Sequence, residues 1–321
     1  MSLLRAIVFG AAGQDGSYLV SELLSQGYTV LGLIHNNAAP RPPQDGLSFA
    51  QMSLEGLDAL PALLREFGPT EFYNLAARSS GAGMFDDPIA IGELNGIAVA
   101  RMLEAIRQSD RRIRFCQASS SELFGEPEES PQSEATPLRP RSPYGAAKLY
   151  AHWMLDIYRK RHGMFACSAL LFNHESPRRG LAFVTRKVTH AAARIKLGLA
   201  DQVELGNLEA RRDWGFAGDY MRAMYLMLQQ DQPRDYVVAT GTTHSVRQLC
   251  EVAFGHLGLD YKRHVVEAPA DFRSSEPVQL VGDASLARRK LGWAPTVAFE
   301  QMITSMVDHD LALMQSQATP A

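Results

Sequence analysis

Gly10, Gly13 and Gly16 stand three residues apart, directly after a β-branched run from Arg5 to Phe9 and at the start of a helical pattern from Gly16 to Ser25. Small residues there let the chain turn tightly and let a pyrophosphate approach backbone N–H groups, so the trio points to a strand, turn and helix unit suited to a dinucleotide. Strand and helix periods keep alternating behind it. Thr29 to Ile34 reads as a second strand, a loop rich in proline and alanine covers Ala38 to Pro43, and a helix at Leu57 to Phe67 leads to a strand at Glu71 to Asn74. Ile91 to Gln108 carries apolar residues at helical spacing, Ile113 to Gln117 is a strand ending in serines, Tyr144 to Arg161 a long helix, and Cys167 to Phe172 the next strand. Such alternation predicts an α/β fold, a Rossmann-like doubly wound parallel sheet.

The pattern changes after residue 172. Val184 to Leu197, Asp219 to Gln229 and Val246 to Leu257 read as helices and Asp235 to Ala239 as a strand, while Phe299 to Met314 sets its apolar residues near one face and reads as a closing helix. We therefore expect a first domain over 1–172 and a smaller, mixed α/β C-terminal substrate domain over 173–321, some segments of which return to the first. Ser316 to Ala321 read as a frayed end.

With 46% hydrophobic and 21% charged residues and a net charge of -3, the 321-residue chain has an ordinary soluble composition. Basic residues are interleaved with acids, which argues against a nucleic-acid partner, and Arg111 to Arg114 read as a solvated turn. No apolar run reaches the roughly 20 residues a membrane helix needs, so the expectation is a cytoplasmic protein with no membrane partner. Cys116, Cys167 and Cys250 are far apart and odd in number, and read as buried free thiols rather than disulfides or metal ligands. No metal site is expected.

Ser142-Pro-Tyr-Gly-Ala-Ala-Lys148 puts Tyr144 and Lys148 four apart, on one face at the start of a helix. An ammonium beside a phenol favours the phenolate, so Lys148 is expected to lower the Tyr144 pKa and let it exchange a proton near neutral pH. Ser119 to Gly125 reads SSSELFG at a strand end; a hydroxyl there shares a hydrogen bond with a reacting oxygen, and Glu122 is a candidate second base. From Ile34 to Asn37 there is no acid to bond the ribose hydroxyls of NAD and no arginine before Arg41, so this segment leaves NAD and NADP open.

Three further stretches, NHESPRRG from Asn173, FVTRK from Phe183 and GNLEARRDWG from Gly206, join QASSSELFG and SPYGAAKLYAHW. Together they resemble the GDP-mannose 4,6-dehydratases of the extended short-chain dehydrogenase/reductase superfamily, over nearly the whole chain. The resemblance implies a lyase that oxidises the sugar at C4, removes the C5 proton, expels the C6 hydroxyl as water and returns the hydride to C6, with NADP retained throughout and NAD an open alternative. It implies catalysis by Ser120, Glu122, Tyr144 and Lys148. For the cofactor it points to Gly10, Gly13, Gln14, Asp15, Gly16, Leu75, Ala76, Ala77, Ser79, Tyr144, Lys148, His174 and Arg179. For a GDP-sugar it points to Asn173, Lys187, Asn207, Arg212, Arg273 and Glu276, the cations suiting a diphosphate; Arg178 reads instead as a surface salt bridge. A homodimer or homotetramer is implied as well.

The chain departs from the family pattern at His35 and Asn36, Ser53, Ser80, Met84, Ala90 and Leu181, and it carries Ser120 in place of threonine. A GDP-4-keto-6-deoxymannose reductase, a dehydratase of another GDP-sugar and a non-catalytic NAD(P) sensor are the competing readings. A reductase has no use for the Glu122 base, and a sensor none for the Tyr144 and Lys148 pair.

Overall fold

The computed structural model describes residues 4–35, 44–79, 85, 87–268 and 279–318. The loop expected at Ala38 to Pro43, the departures Asn36, Ser80 and Met84, and the candidates Arg273 and Glu276 lie outside the described residues.

The first half is a wound sheet. Its strands are β1 (Arg5–Phe9), β2 (Thr29–Ile34), β3 (Leu47–Gln51), β4 (Glu71–Asn74), β5 (Arg114–Ala118) and β6 (Ala166–Leu171). Helices α1 (Gln14–Ser25), α2 (Leu60–Phe67), α3 (Pro88–Gly92), α4 (Ala98–Asp110) and α5 (Pro143–His162) connect them. A π-helical turn, Glu93–Ile97, joins α3 to α4. The second half supplies β7 (Asn173–Glu175), α6 (Val184–Lys196), β8 (Val203–Leu205), β9 (Arg211–Phe216), α7 (Ala217–Leu228), β10 (Tyr236–Val238), β11 (Thr243–Ser245), α8 (Val246–His256), β12 (Val265–Glu267), α9 (Ser285–Leu291) and α10 (Phe299–Ala318).

The large sheet runs β10-β6-β5-β4-β1-β2-β3, with every pairing parallel. This is the doubly wound α/β order, and its direction reverses between β1 and β4. Successive side chains of a strand face opposite sides. Ala6 and Val8 therefore enter the layer beneath α1, α7 and α9, while Ile7 and Phe9 enter the layer beneath α2, α4 and α5. Beyond β6, the strands β11-β9-β7 and β12-β8 form two small sheets, and α6, α8 and α10 pack around Trp214 as a separate core.

Several expectations change. The pattern reading placed no strand between Ile34 and Leu57, yet β3 pairs with β2 over five residues; as an edge strand it is only partly buried and shows weak apolar alternation. It likewise placed none of β7, β8, β9, β11 or β12. The expected fraying from Ser316 is contradicted as far as Ala318, where α10 ends. Arg114 is no solvated turn residue: it donates to the carbonyls of Leu228 and Gln230 and lies 4.4 Å over the Phe165 ring. The three cysteines are free and buried.

Candidate active site

The glycine turn closes the carboxyl end of β1 against its neighbours. Gly10 has φ +88°, and a Cβ there would meet the backbone of Ala76 at 3.0 Å and of Leu75 at 3.1 Å. A Cβ on Gly16 would sit 2.2 Å from the Gly10 carbonyl oxygen, so only glycine lets α1 start this close to the strand. Gly13 caps α1 with no side chain of its own, and the first turn presents its backbone donors at the switch point of the sheet. These features fit a dinucleotide pyrophosphate lying over Gly10, Gly13 and Gly16 beside Leu75 and Ala76.

The following loop, Leu75 to Ser79, is held from behind. Asn95, buried in the π turn, accepts from the Arg78 amide at 3.0 Å and donates to the Arg78 carbonyl at 3.2 Å. This positioning residue was not foreseen; its signal is a lone asparagine inside the apolar run from Ile91 to Val99. Asn74 adds a second support, donating to Gln117 at 2.8 Å and accepting from the Ala76 amide at 3.2 Å. Ala77 and Ser79 extend from this loop.

Tyr144 and Lys148 lie on the first turns of α5. Ser142 caps that helix by accepting from the Gly145 amide at 3.0 Å, Pro143 opens it, and Gly163 at φ 64° ends it. Ile91 and Ala147 enclose the Tyr144 ring. Lys148 is buried, donates to the Ala118 carbonyl at 2.9 Å, and has its Nζ 5.6 Å from the centre of that ring. A Cβ on Gly145 would lie 2.7 Å from the Glu122 carbonyl oxygen, so α5 begins in contact with the turn that carries Glu122. On that turn Ser120 accepts from the Glu122 amide at 3.2 Å.

The expected lowering of the Tyr144 pKa is overturned. Burial and then the Glu122 charge push the phenol up, while the Arg179 charge and a hydrogen bond with Ser120 pull only partly back. Burial brings Lys148 down to about 8, opposed by the Asp15 charge. The lysine directs its proton at a carbonyl, so the resting site holds a neutral phenol.

His174 lies on β7, and Arg179 on the loop that follows it. His174 Nε2 lies 3.0 Å from Asp15 Oδ2 and its Nδ1 2.7 Å from the Phe172 carbonyl oxygen. Acceptors on both nitrogens favour the imidazolium. Burial opposes that charge, yet Asp15 outweighs it and the His174 pKa rises; burial likewise opposes ionisation of Asp15, and His174 wins, drawing it to about 2. Gln14 donates to the His174 carbonyl at 3.2 Å and accepts from Ser176 at 2.8 Å. Arg179 pairs with Glu175 at 3.2 Å and covers the Phe183 ring at 3.5 Å. Arg178 is not the expected surface salt bridge: it donates to Ser17 at 2.8 Å and lies 4.3 Å over the Tyr18 ring.

The sugar-side candidates are less closely gathered. Asn173 begins β7 and pairs in register with Trp214 of β9; Arg212 lies on β9 and donates to the Arg211 carbonyl at 2.7 Å. Lys187 is exposed on the first turn of α6, and Asn207 is exposed in the loop between β8 and β9, where it accepts from the Glu209 amide at 2.8 Å.

The family model for GDP-mannose 4,6 dehydratase matches residues 7–306. GDP-mannose 4,6 dehydratase 1 of Arabidopsis thaliana is 46% identical, with 97% of this chain and 91% of the relative covered. GDP-mannose 4,6 dehydratase of Homo sapiens is 40% identical, with coverages of 97% and 92%. Among solved structures, Thermus thermophilus UDP-glucose 4-epimerase in complex with NAD superposes with a TM-score of 0.85 at 28% identity, covering 96% of this chain and 99% of that one.

Proposed function

This chain belongs to the GDP-mannose 4,6-dehydratase family, and on that footing we propose that it dehydrates GDP-mannose to GDP-4-keto-6-deoxymannose at the site around Tyr144. The observation that carries the reading is the seam between α5 and the Ser120–Glu122 turn. There a phenol, its hydroxyl partner and a carboxylate are brought together by the backbone contact at Gly145.

A nicotinamide dinucleotide would be held by Gly10, Gly13, Gly16, Gln14, Asp15, Leu75 to Ala77, Ser79, His174 and Arg179, with Tyr144 and Lys148 at its nicotinamide end, and would supply the hydride acceptor and the returning hydride. Tyr144, once its own proton has passed to solvent, takes the proton of the sugar C4 hydroxyl, helped by Ser120, as that carbon is oxidised. The resulting ketone acidifies C5–H, and Glu122 removes that proton. The same carboxyl then protonates the departing C6 hydroxyl, which leaves as water; Tyr144 stays on the C4 oxygen, and the proton it took there returns to the sugar at C5 as hydride reaches C6. Asn173, Lys187, Asn207 and Arg212, with Arg273 and Glu276, hold the GDP portion.

Deuterium placed at C4 of GDP-mannose is expected at C6 of the product, with the 4-keto chromophore developing in alkali and no added reduced cofactor consumed. No turnover of GDP-mannose, together with stoichiometric consumption of reduced cofactor on GDP-4-keto-6-deoxymannose, would identify a reductase instead. We assign NADP over NAD from the family resemblance, the segment from Ile34 to Asn37 offering neither a carboxylate against a 2′-phosphate nor an arginine for it; tighter binding of NAD in a titration overturns that choice.

Residues 1–172 serve as the dinucleotide unit and most of 173–321 as the sugar-nucleotide unit, although β10, α7 and α9 pack in the core of the first. No described helix is long and apolar enough to cross a membrane, and three buried free thiols suit the reducing cytoplasm. The exposed side chains Tyr150, Trp153 and Ile157, spaced along α5, and Ile97 support a homodimer formed through this face. Trp153→Glu is expected to give monomers in light scattering; unchanged mass sinks that assembly.

A further inference from the structure

The loop from Glu175 to Arg179 is fastened from two sides. Towards the glycine turn, Ser176 donates to Gln14 and Arg178 to Ser17. Towards the second core, Thr185 donates to Glu175 at 2.6 Å. Arg186 of α6 donates through Nη1 to two carbonyls of this loop, those of Pro177 and Arg179, the latter at 2.8 Å. The other end of the guanidinium meets Asp310 of α10, whose second oxygen accepts from Thr189 at 2.8 Å. Arg186 is 8% exposed and Asp310 wholly buried. A planar guanidinium reaches all three acceptors at once, a task that the point charge of lysine does not perform.

We infer that the Arg186–Asp310 pair is a positioning unit, through which the last helix of the chain holds the Pro177–Arg179 backbone and so aims the Arg179 guanidinium at the dinucleotide. A buried pair of this kind adds little net stability compared with an apolar replacement. Its geometry is therefore better explained by what it holds than by the energy it contributes. Arg179 is already electrostatically part of the site, since its charge acts on both Tyr144 and Asp15. The inference rests on the assignment of Arg179 to the cofactor.

A double-mutant cycle separates the two ideas. Dinucleotide affinity of the full-length protein is measured by titration for wild type, Asp310→Asn, Arg179→Ala and the double variant, at a temperature at which all four remain folded. Arg186→Lys, with the same Arg179→Ala partner, replaces Asp310→Asn should that variant not fold. Asp310→Asn is expected to weaken binding about tenfold, and that loss is expected to vanish in the Arg179→Ala background while any fall in Tm persists. Arg179→Ala binding as tightly as wild type overturns the cofactor assignment itself. Weakened binding in Arg179→Ala but not in Asp310→Asn leaves that assignment standing and overturns the positioning role. A loss in Asp310→Asn that is equally large without Arg179 shows the pair to be only structural.

Discussion

The two halves of the molecule are held by different means. In the first, parallel strands of four to six residues are covered on both faces by apolar side chains, so backbone ladders and burial fix the architecture and leave the strand ends available for polar groups. In the second, most strands have three residues, and buried carboxylates stitch the loops. Asp213 accepts from the amides of Thr240 at 3.0 Å, Gly241 at 3.0 Å and Gly282 at 3.2 Å. Asp219 accepts from the amides of Thr296 at 2.7 Å and Val297 at 3.2 Å. The first half also buries Glu71, whose partners are side chains, the phenols of Tyr28 and Tyr73 and the Gln229 amide, rather than loop backbone. A sheet tolerates reactive groups at its rim because the rim bears no structural load. The stitched half has no such separation.

The sharpest way to break this contrast is to remove single functional groups from each half. Tyr144→Phe deletes one hydroxyl at the rim, and turnover of GDP-mannose is expected to fall by about 10³-fold with Tm nearly unchanged; a large drop in Tm would show the phenol to be structural. Asp213→Ala strands three backbone donors, and we expect a loss of about 3 kcal/mol in denaturant unfolding. A loss below roughly 0.5 kcal/mol, the range of surface substitutions, would remove the basis of the comparison.

The junction of the halves gives the smallest effect. Because its folded pKa is raised, His174 contributes stability that is complete below its unfolded value near 6.5 and is lost as pH rises through the folded value. In Asp15→Asn, burial remains without the compensating charge, so the His174 pKa is expected to drop below 6.5 and its contribution to change sign. Titration of the imidazole by NMR checks this, and an unshifted pKa in the variant removes Asp15 as the cause.

The same contrast explains what was legible. β1 and β2 follow from β-branched runs and β4 from the aromatic pair Phe72 and Tyr73, all buried on both faces, and the Tyr144 and Lys148 pair follows from helical spacing alone. β7, β8, β11 and β12 are too short to carry a period, and they exist because distant side chains hold their loops. Asp213, Asp219 and Asp310 look like ordinary surface acids until tertiary structure buries them. The resting phenol was misjudged for a related reason: neighbour charge is visible in the spacing of Tyr144 and Lys148, but desolvation depends on Ile91, Ala147 and everything else packed around the ring. Legibility at the site came from longer words, NHESPRRG above all, whose residues now stand at the joint between α1 and α6.

The seventh strand has a consequence for how the chain is made. β10 lies beside β6, although 63 residues lie between Phe172 and Tyr236, and those residues carry β7, α6, β8, β9 and α7. During synthesis the exposed edge of β6 waits for Tyr236–Val238 to leave the ribosome, and an unpaired edge strand is a site of aggregation. A fragment ending at 172 carries the glycine turn, Tyr144 and Lys148, yet retains that open edge. Expression of the dinucleotide half alone therefore favours insoluble material, and a soluble minimal version must include the chain through β10.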